Sequence, residues 1–185
     1  SIILEKGYDY SDASIQKPNT VSGIYQVASL AKQFTAAIIL KLQEQGDLSV
    51  GDKLSKYYPT YPNAAKITIH QLLSHTAGIA DYTSIDSFKK SDQSKPMHQG
   101  AMIRYFINEP FTAEPGTKFS YSNSGYRLLG YIIEKITGKP YDDVLKKIIL
   151  QPLGLQHTGY DFISLNDNNK TVGYNFYAPG MYKTA

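Results

Sequence analysis

Between Phe34 and Leu42 the chain carries Phe34, Ala37, Ile38, Ile39, Leu40 and Leu42, an apolar run at helical spacing. Phe34, Ala37, Ile38 and Leu42 form one stripe, and Ile39 and Leu40 extend the apolar surface nearly all round. A helix of that kind is expected at the centre of a protein, with other elements packed about it. The spacing predicts a helix from Ser29 to about Gln45, stopped at Gly46. Ser29 and Lys32 stand at its start, so hydroxyl and amine would share one face about one turn apart. A serine hydroxyl is a weak nucleophile at neutral pH, and a nearby amine can activate it once the amine has lost its proton. Burial favours that loss, because it penalises the ammonium and pushes a lysine below about 10.4.

The remaining pattern is mainly helical. Ile2 to Tyr10 reads as a strand entered midway, with no signal-peptide pattern, and a polar loop runs through Asn19 and Thr20. Thr68 suits the N-cap of a short helix from Ile69 to Ser74, which ends in His75-Thr76-Ala77-Gly78. Asp81 to Lys95 reads as a surface loop, and Met97 to Ile107 as a helix closed by Asn108-Glu109-Pro110. Glu114-Pro115-Gly116-Thr117 is a strong turn signal. A second long helix is expected from Asn123 to Thr137, with Tyr126, Leu129, Ile133 and Ile136 on one face and Gly138 as its stop. Asp142 to Leu150 forms another, closed by Gln151-Pro152-Leu153-Gly154, and the chain after Tyr160 is polar and rich in loops.

Several function classes lose support here. The 185 residues carry a formal charge of +3 with no basic run, so nucleic acid is not implied. There are no cysteines, hence no disulfides and no thiolate metal sites. The four histidines, His70, His75, His98 and His157, lack metal-ligand spacing, so no metal and no cofactor are expected. His70 and His75 are expected to face a helix surface and a turn. Met97 and Met102 read as core filler. No stretch approaches the roughly 18 apolar residues that span a bilayer.

Tyr121-Ser122-Asn123 lies just after the Pro115-Gly116 turn and just before the second long helix. A loop tip held between a rigid turn and a helix can project side chains into a cleft. A tyrosine there can shuttle a proton if a cation such as Lys32 favours its phenolate, and the asparagine offers both a donor and an acceptor.

Ser29-x-x-Lys32 followed by Tyr121-x-Asn123 resembles the serine β-lactamase and penicillin-binding-protein superfamily, in its class C-like branch of D-alanyl-D-alanine peptidases, class C β-lactamases and related esterases. Flanking segments match collinearly: Val27 to Thr35, Ile67 to Gly78, Pro115-Gly116, and Pro152-Leu153-Gly154-Leu155. The resemblance runs from about Lys6 to Tyr160. It implies an α+β fold of the β-lactamase/transpeptidase kind, mostly its helical part with an incomplete antiparallel sheet. It also implies acyl transfer, with Ser29 as nucleophile, Lys32 and Tyr121 sharing the base role as a coupled pair, and Asn123 orienting the substrate's amide. The Ser29 backbone N–H would serve as one oxyanion donor. The implied partner is a small-molecule or cell-wall acyl substrate (D-alanyl peptide, ester or β-lactam) outside the cytoplasm. Membrane association through a segment outside these residues stays open.

The branch also carries a Lys or His, then Ser or Thr, then Gly, on a strand lining the cleft downstream of the Tyr-x-Asn loop. His75-Thr76-Ala77-Gly78 precedes Tyr121 and matches a turn of the branch. His157-Thr158-Gly159 falls where the branch has a loop, and Lys183-Thr184-Ala185 lacks the glycine. None is taken as the third motif. The expectation is therefore a partial hydrolase domain over 1–185, a fragment or a fold completed by something else. The alternative function is a non-catalytic penicillin- or peptidoglycan-binding module of the same fold.

Overall fold

Phe34 to Leu42 is helical, within α1 (Ala31–Glu44). The computed structural model describes residues 3–91, 97–161, 165–177 and 180–183. The chain falls into two units, Ala31–Gly154 and Ser1–Leu30 with Leu155–Ala185.

Among the described residues, the larger unit holds α1 and five further helices: α2 (Ile69–Leu73), α3 (Asp86–Lys89), α4 (Gln99–Arg104), α5 (Asn123–Thr137) and α6 (Tyr141–Leu145), the last running into a π turn at Lys146–Leu150. Its core forms where α1 lies against α5: Ile38, Ile39 and Leu42 meet a cluster containing Leu128, Leu129, Ile132 and Ile133, all fully buried. Leu72 of α2, Met102 of α4, Phe106 and Leu145 close the same cluster. Each such Leu or Ile contributes about 1.5–3 kcal/mol over leaving it in water.

The helix ends follow local chemistry. Past α1, the Gly46 N–H reaches Gln43 O at 3.0 Å and the Asp47 N–H reaches Leu42 O at 3.0 Å. This pair of bonds needs a left-handed residue, and Gly46 has φ 81°. Thr68 and Gln71 form a reciprocal capping box at α2. The Ser122 hydroxyl accepts the Gly125 N–H at the start of α5, and Gly138 ends that helix at φ 64°.

Several expectations are corrected. First, α1 is not apolar-packed all round: Thr35, Ile38, Ile39 and Leu42 are buried, while Ala37 and Leu40 are exposed, Leu40 by 49%. Its buried apolar residues are those that join the core shared with α5, α6 and the π turn. Second, the buried face of α5 is turned about its axis to Leu128, Leu129, Ile132 and Ile133, with Tyr126 and Ile136 at its margin. Third, the strand expected over Ile2 to Tyr10 is only Tyr10–Asp12. Ile3 and Leu4 are exposed, and Asp9 at φ 57° turns the chain out of the extended region; Ile2 lies outside the described residues. Fourth, the expected loop from Asp81 holds a 3₁₀ turn at Tyr82–Ser84 and α3, because Tyr82 buries its ring against Phe88 and Phe106. Residues 92–95 of that loop are outside the described residues. The helix expected over Met97 to Ile107 contracts to α4, capped by His98. Met102 is buried and Met97 packs on the core, as their reading as filler required.

In the smaller unit, β1 (Tyr10–Asp12) pairs antiparallel with β2 (Lys17–Pro18), and β3 (Tyr174–Tyr177) with β4 (Gly180–Lys183). The Ile24 N–H donates to Asn169 O at 2.8 Å and the Val172 N–H to Ser11 O at 2.8 Å. Among the described residues the sheet structure is thus two antiparallel pairs, small and not closed.

Candidate active site

In the larger unit, chemistry-bearing side chains gather at the N-terminal turns of α1 and α5. Two loop segments seat it. Glu114-Pro115-Gly116-Thr117 closes a turn through the Thr117 N–H on Glu114 O at 3.1 Å, with Gly116 at φ 89°. The strip from His75 to Gly78 is then laced to this loop: the Gly116 N–H reaches Thr76 O at 2.7 Å, the Ser120 N–H reaches His75 O at 2.8 Å, and the Thr112 N–H reaches Gly78 O at 2.8 Å. His75-Thr76-Ala77-Gly78 is therefore the strut on which Tyr121 is carried.

Lys32 and Asn123 meet across 91 positions of sequence, with Lys32 Nζ donating to Asn123 Oδ1 at 2.8 Å. The same ammonium lies 4.9 Å from the ring centre of Tyr121 and 5.6 Å from that of Tyr126. At these distances a cation is attracted to the ring faces. Tyr121 is 43% exposed, so the cluster reaches the protein surface. Three of the four residues singled out by sequence, Lys32, Tyr121 and Asn123, are thus brought together.

Ser29 stands in an exposed 3₁₀ turn, Ala28–Leu30, directly before α1 rather than inside it. Ala28, just ahead, has φ 44°. A left-handed backbone costs a residue with a Cβ about 1–2 kcal/mol, so its surroundings must hold it there.

Two members of the cluster escaped sequence reasoning. Asp81 accepts the Asn123 side-chain N–H, at 3.0 Å on Oδ2 and 3.3 Å on Oδ1. Its own backbone is clamped, because the buried Ser124 hydroxyl donates to Ala80 O at 2.6 Å and accepts the Tyr82 N–H at 2.9 Å. His75, read only as part of a turn, stacks on Tyr121 at 4.4 Å between ring centres and lies 5.0 Å from Tyr126. Its Nδ1 accepts the Ser122 N–H at 3.1 Å. Burial, and then the charge of Lys32, hold His75 below its ordinary range, with Asp81 opposing. A neutral ring is what that accepting Nδ1 requires. Burial, followed by the neighbouring Tyr121, pushes the Tyr126 hydroxyl up, and that hydroxyl donates to Leu73 O at 3.0 Å. The Asp81 signal in sequence was only a polar residue in a loop, whereas His75 at φ 58° sits in a conformation that histidine tolerates better than most residues.

His70 is exposed on α2, and His157 lies on an exposed stretch of the smaller unit. Thr184 and Ala185 are outside the described residues. Among the described residues no three His, Asp or Glu side chains are grouped to hold a metal.

The sequence model of a family described as Beta-lactamase matches residues 1–180. "Protein flp" of Staphylococcus aureus (strain COL) is 34% identical over 179 residues, covering 94% of this chain and 35% of that protein. The chain thus spans about a third of the length of that curated relative, 35%. A penicillin binding protein from Bacillus halodurans superposes with a TM-score of 0.82 at 28% identity, over 96% of this chain and 57% of the other. A D-amino acid amidase from Ochrobactrum anthropi SV3, complexed with L-phenylalanine amide, gives 0.78 at 29% identity, over 92% of this chain and 48% of the other. The fold is accordingly that of β-lactamases and transpeptidases.

Proposed function

The chain belongs to the beta-lactamase family, and from that premise we propose that it carries the acylating residues of a serine acyl hydrolase or transferase. The type is penicillin-binding, or D-alanyl peptidase or esterase. Ser29 is the nucleophile. Its Oγ bonds to the carbonyl carbon of a D-alanyl peptide, ester or β-lactam, and its proton passes to the coupled pair Lys32 and Tyr121. As the C–N or C–O bond breaks, the pair returns that proton to the leaving nitrogen or oxygen. Water or another acceptor then attacks the acyl-enzyme and loses its proton to the same pair, which passes that proton to Ser29 Oγ as the acyl carbon–Oγ bond breaks. The Ser29 backbone N–H is one donor to the oxyanion. Asn123 holds Lys32 through Oδ1 and has a second side-chain N–H to orient the substrate's amide carbonyl.

One observation carries this reading: Lys32 Nζ donates to Asn123 Oδ1 at 2.8 Å while lying over the Tyr121 ring, three positions after Ser29 in the chain. An extracytoplasmic setting follows from the same reading, because cell-wall substrates lie there. Among the described residues no helix is long and apolar enough to cross a membrane.

The test is intact-mass measurement of the protein after exposure to a penicillin and to an activated ester, with Ser29→Ala as control. A single acyl adduct is expected in the native protein and none in Ser29→Ala. An adduct that persists in Ser29→Ala would remove Ser29 as nucleophile. No adduct with either donor would favour the non-catalytic binding module.

A further inference from the structure

We infer that Asp81 is a positioning residue: its carboxylate dictates which end of the Asn123 amide faces Lys32, and so leaves the lone pair of the neutral Lys32 amine free of Asn123. The inference rests on Lys32 acting in proton transfer, as proposed above. An asparagine amide has two orientations of similar shape, with oxygen and nitrogen exchanged. A carboxylate only accepts hydrogen bonds, so Asp81, at 3.0 and 3.3 Å from Asn123 Nδ2, demands nitrogen on its side. The oxygen must then face Lys32, where it accepts from Nζ at 2.8 Å.

While Lys32 is an ammonium, this constraint is duplicated, since an ammonium only donates. The two separate once Lys32 loses its proton. A neutral amine has two N–H groups and one lone pair. An unrestrained Asn123 would then be free to turn its NH₂ toward Lys32 and hydrogen-bond that lone pair, which is the group that takes the Ser29 proton. Asp81 opposes the turn, because it would set the Asn123 oxygen against the carboxylate oxygens.

The clamp does not depend on the carboxylate's own backbone settling by chance. Ser124 of α5 holds both Ala80 O and the Tyr82 N–H, the peptide groups flanking Asp81, so the carboxylate and Asn123 are carried on one rigid corner. Asp81 Oδ1 also accepts the Thr83 N–H at 3.2 Å, capping the Tyr82–Ser84 turn. The other titratable groups of the cluster are His75 from the strip after α2, Tyr121 from the loop and Tyr126 from α5.

The test is the acylation rate of the intact protein with an activated ester in a double-mutant cycle of Asp81→Asn and Asn123→Ala. An asparagine at 81 offers an NH₂ and releases the orientation of Asn123. Asp81→Asn should slow acylation by about 10- to 100-fold, part of the 10²–10⁴ that a positioned base supplies. In the Asn123→Ala background the same change should have no further effect. A native acylation rate in Asp81→Asn, or equal losses in both backgrounds as a mere turn cap would give, overturns the inference. If Asp81→Asn loses its cooperative melt, the native protein decides by NMR of its ¹⁵N-labelled side-chain amides. The Asn123 NH₂ should stay bonded to Asp81 as the pH is raised, and its transfer to Lys32 would be fatal. Absence of a Ser29-dependent adduct in the native protein defeats the proposed function instead. A normal adduct with an indifferent Asp81→Asn defeats this inference alone.

Discussion

Replacing His75 with phenylalanine separates the two tasks of that ring. Phenylalanine can keep the stack on Tyr121, 4.4 Å between ring centres, and the contact with Tyr126 at 5.0 Å. It has no acceptor for the Ser122 N–H, which His75 Nδ1 takes at 3.1 Å. Ser122 is only 4% exposed, so water does not readily replace the lost partner. A buried N–H left unpaired costs about 1–3 kcal/mol. The φ of 58° adds to this, because phenylalanine tolerates the left-handed region less well than histidine. For a chain of this length, roughly 3–10 °C in melting temperature is expected, measured by calorimetry or circular dichroism. Acylation should slow as well, since Ser122 lies between Tyr121 and Asn123. The pH dependence gives an independent check. His75 is held below its ordinary value of 6.5 by burial first and Lys32 second. The folded state therefore binds this proton less readily than the unfolded chain. Stability from the neutral ring is fully present above about 6.5 and is lost as pH falls through the lower folded-state value. His75→Phe lacks this loss, so the gap between native and variant should narrow on acidification. Equal stability within about 0.5 kcal/mol at neutral pH, or a gap that widens in acid, would refute the argument.

Two further perturbations act on either side of this strut. Gly78 has φ 70°, and a Cβ there would meet Ala113 O at 2.1 Å. Gly78→Ala should destabilise by about 3–5 kcal/mol through left-handed strain and a backbone clash, read from the denaturant midpoint; native-like stability would mean that the Tyr121 loop can shift freely. Lys32→Arg keeps a donor for Asn123 but stays protonated and cannot act as a base. Acylation should fall by about 10²-fold or more with little change in melting temperature, and a native rate would leave Tyr121 as the sole base.

Legibility in the sequence followed the range of the forces involved. The limits of α5 at Asn123 and Thr137, the N-cap at Thr68, and the stop at Gly46 all depend on groups a few residues apart. The strand expected from Ile2 failed for the opposite reason. A strand needs a hydrogen-bonded neighbour, and composition at Ile3 and Leu4 says nothing about where one will be. The apolar surface of α1 likewise announced a buried helix, but which flank is covered depended on where α5 and α6 came to rest. His75 was legible as a turn residue and illegible as a ring stacked on Tyr121, because 46 positions separate the two (121 − 75).

Sequence alone determined the order Ser29, Lys32, Tyr121, Asn123, the helices that begin beside them, and the family chemistry that such an order implies. These are properties of residue type and short spacing. Tertiary structure alone decided that Lys32 meets Asn123 and that Asp81, 42 positions earlier, takes the other end of the same amide. The physical reason lies in the corner where Ser124 grips Ala80 and Tyr82. A hydrogen bond tolerates only a few tenths of an ångström in distance, and only a packed backbone brings such distant residues to that tolerance.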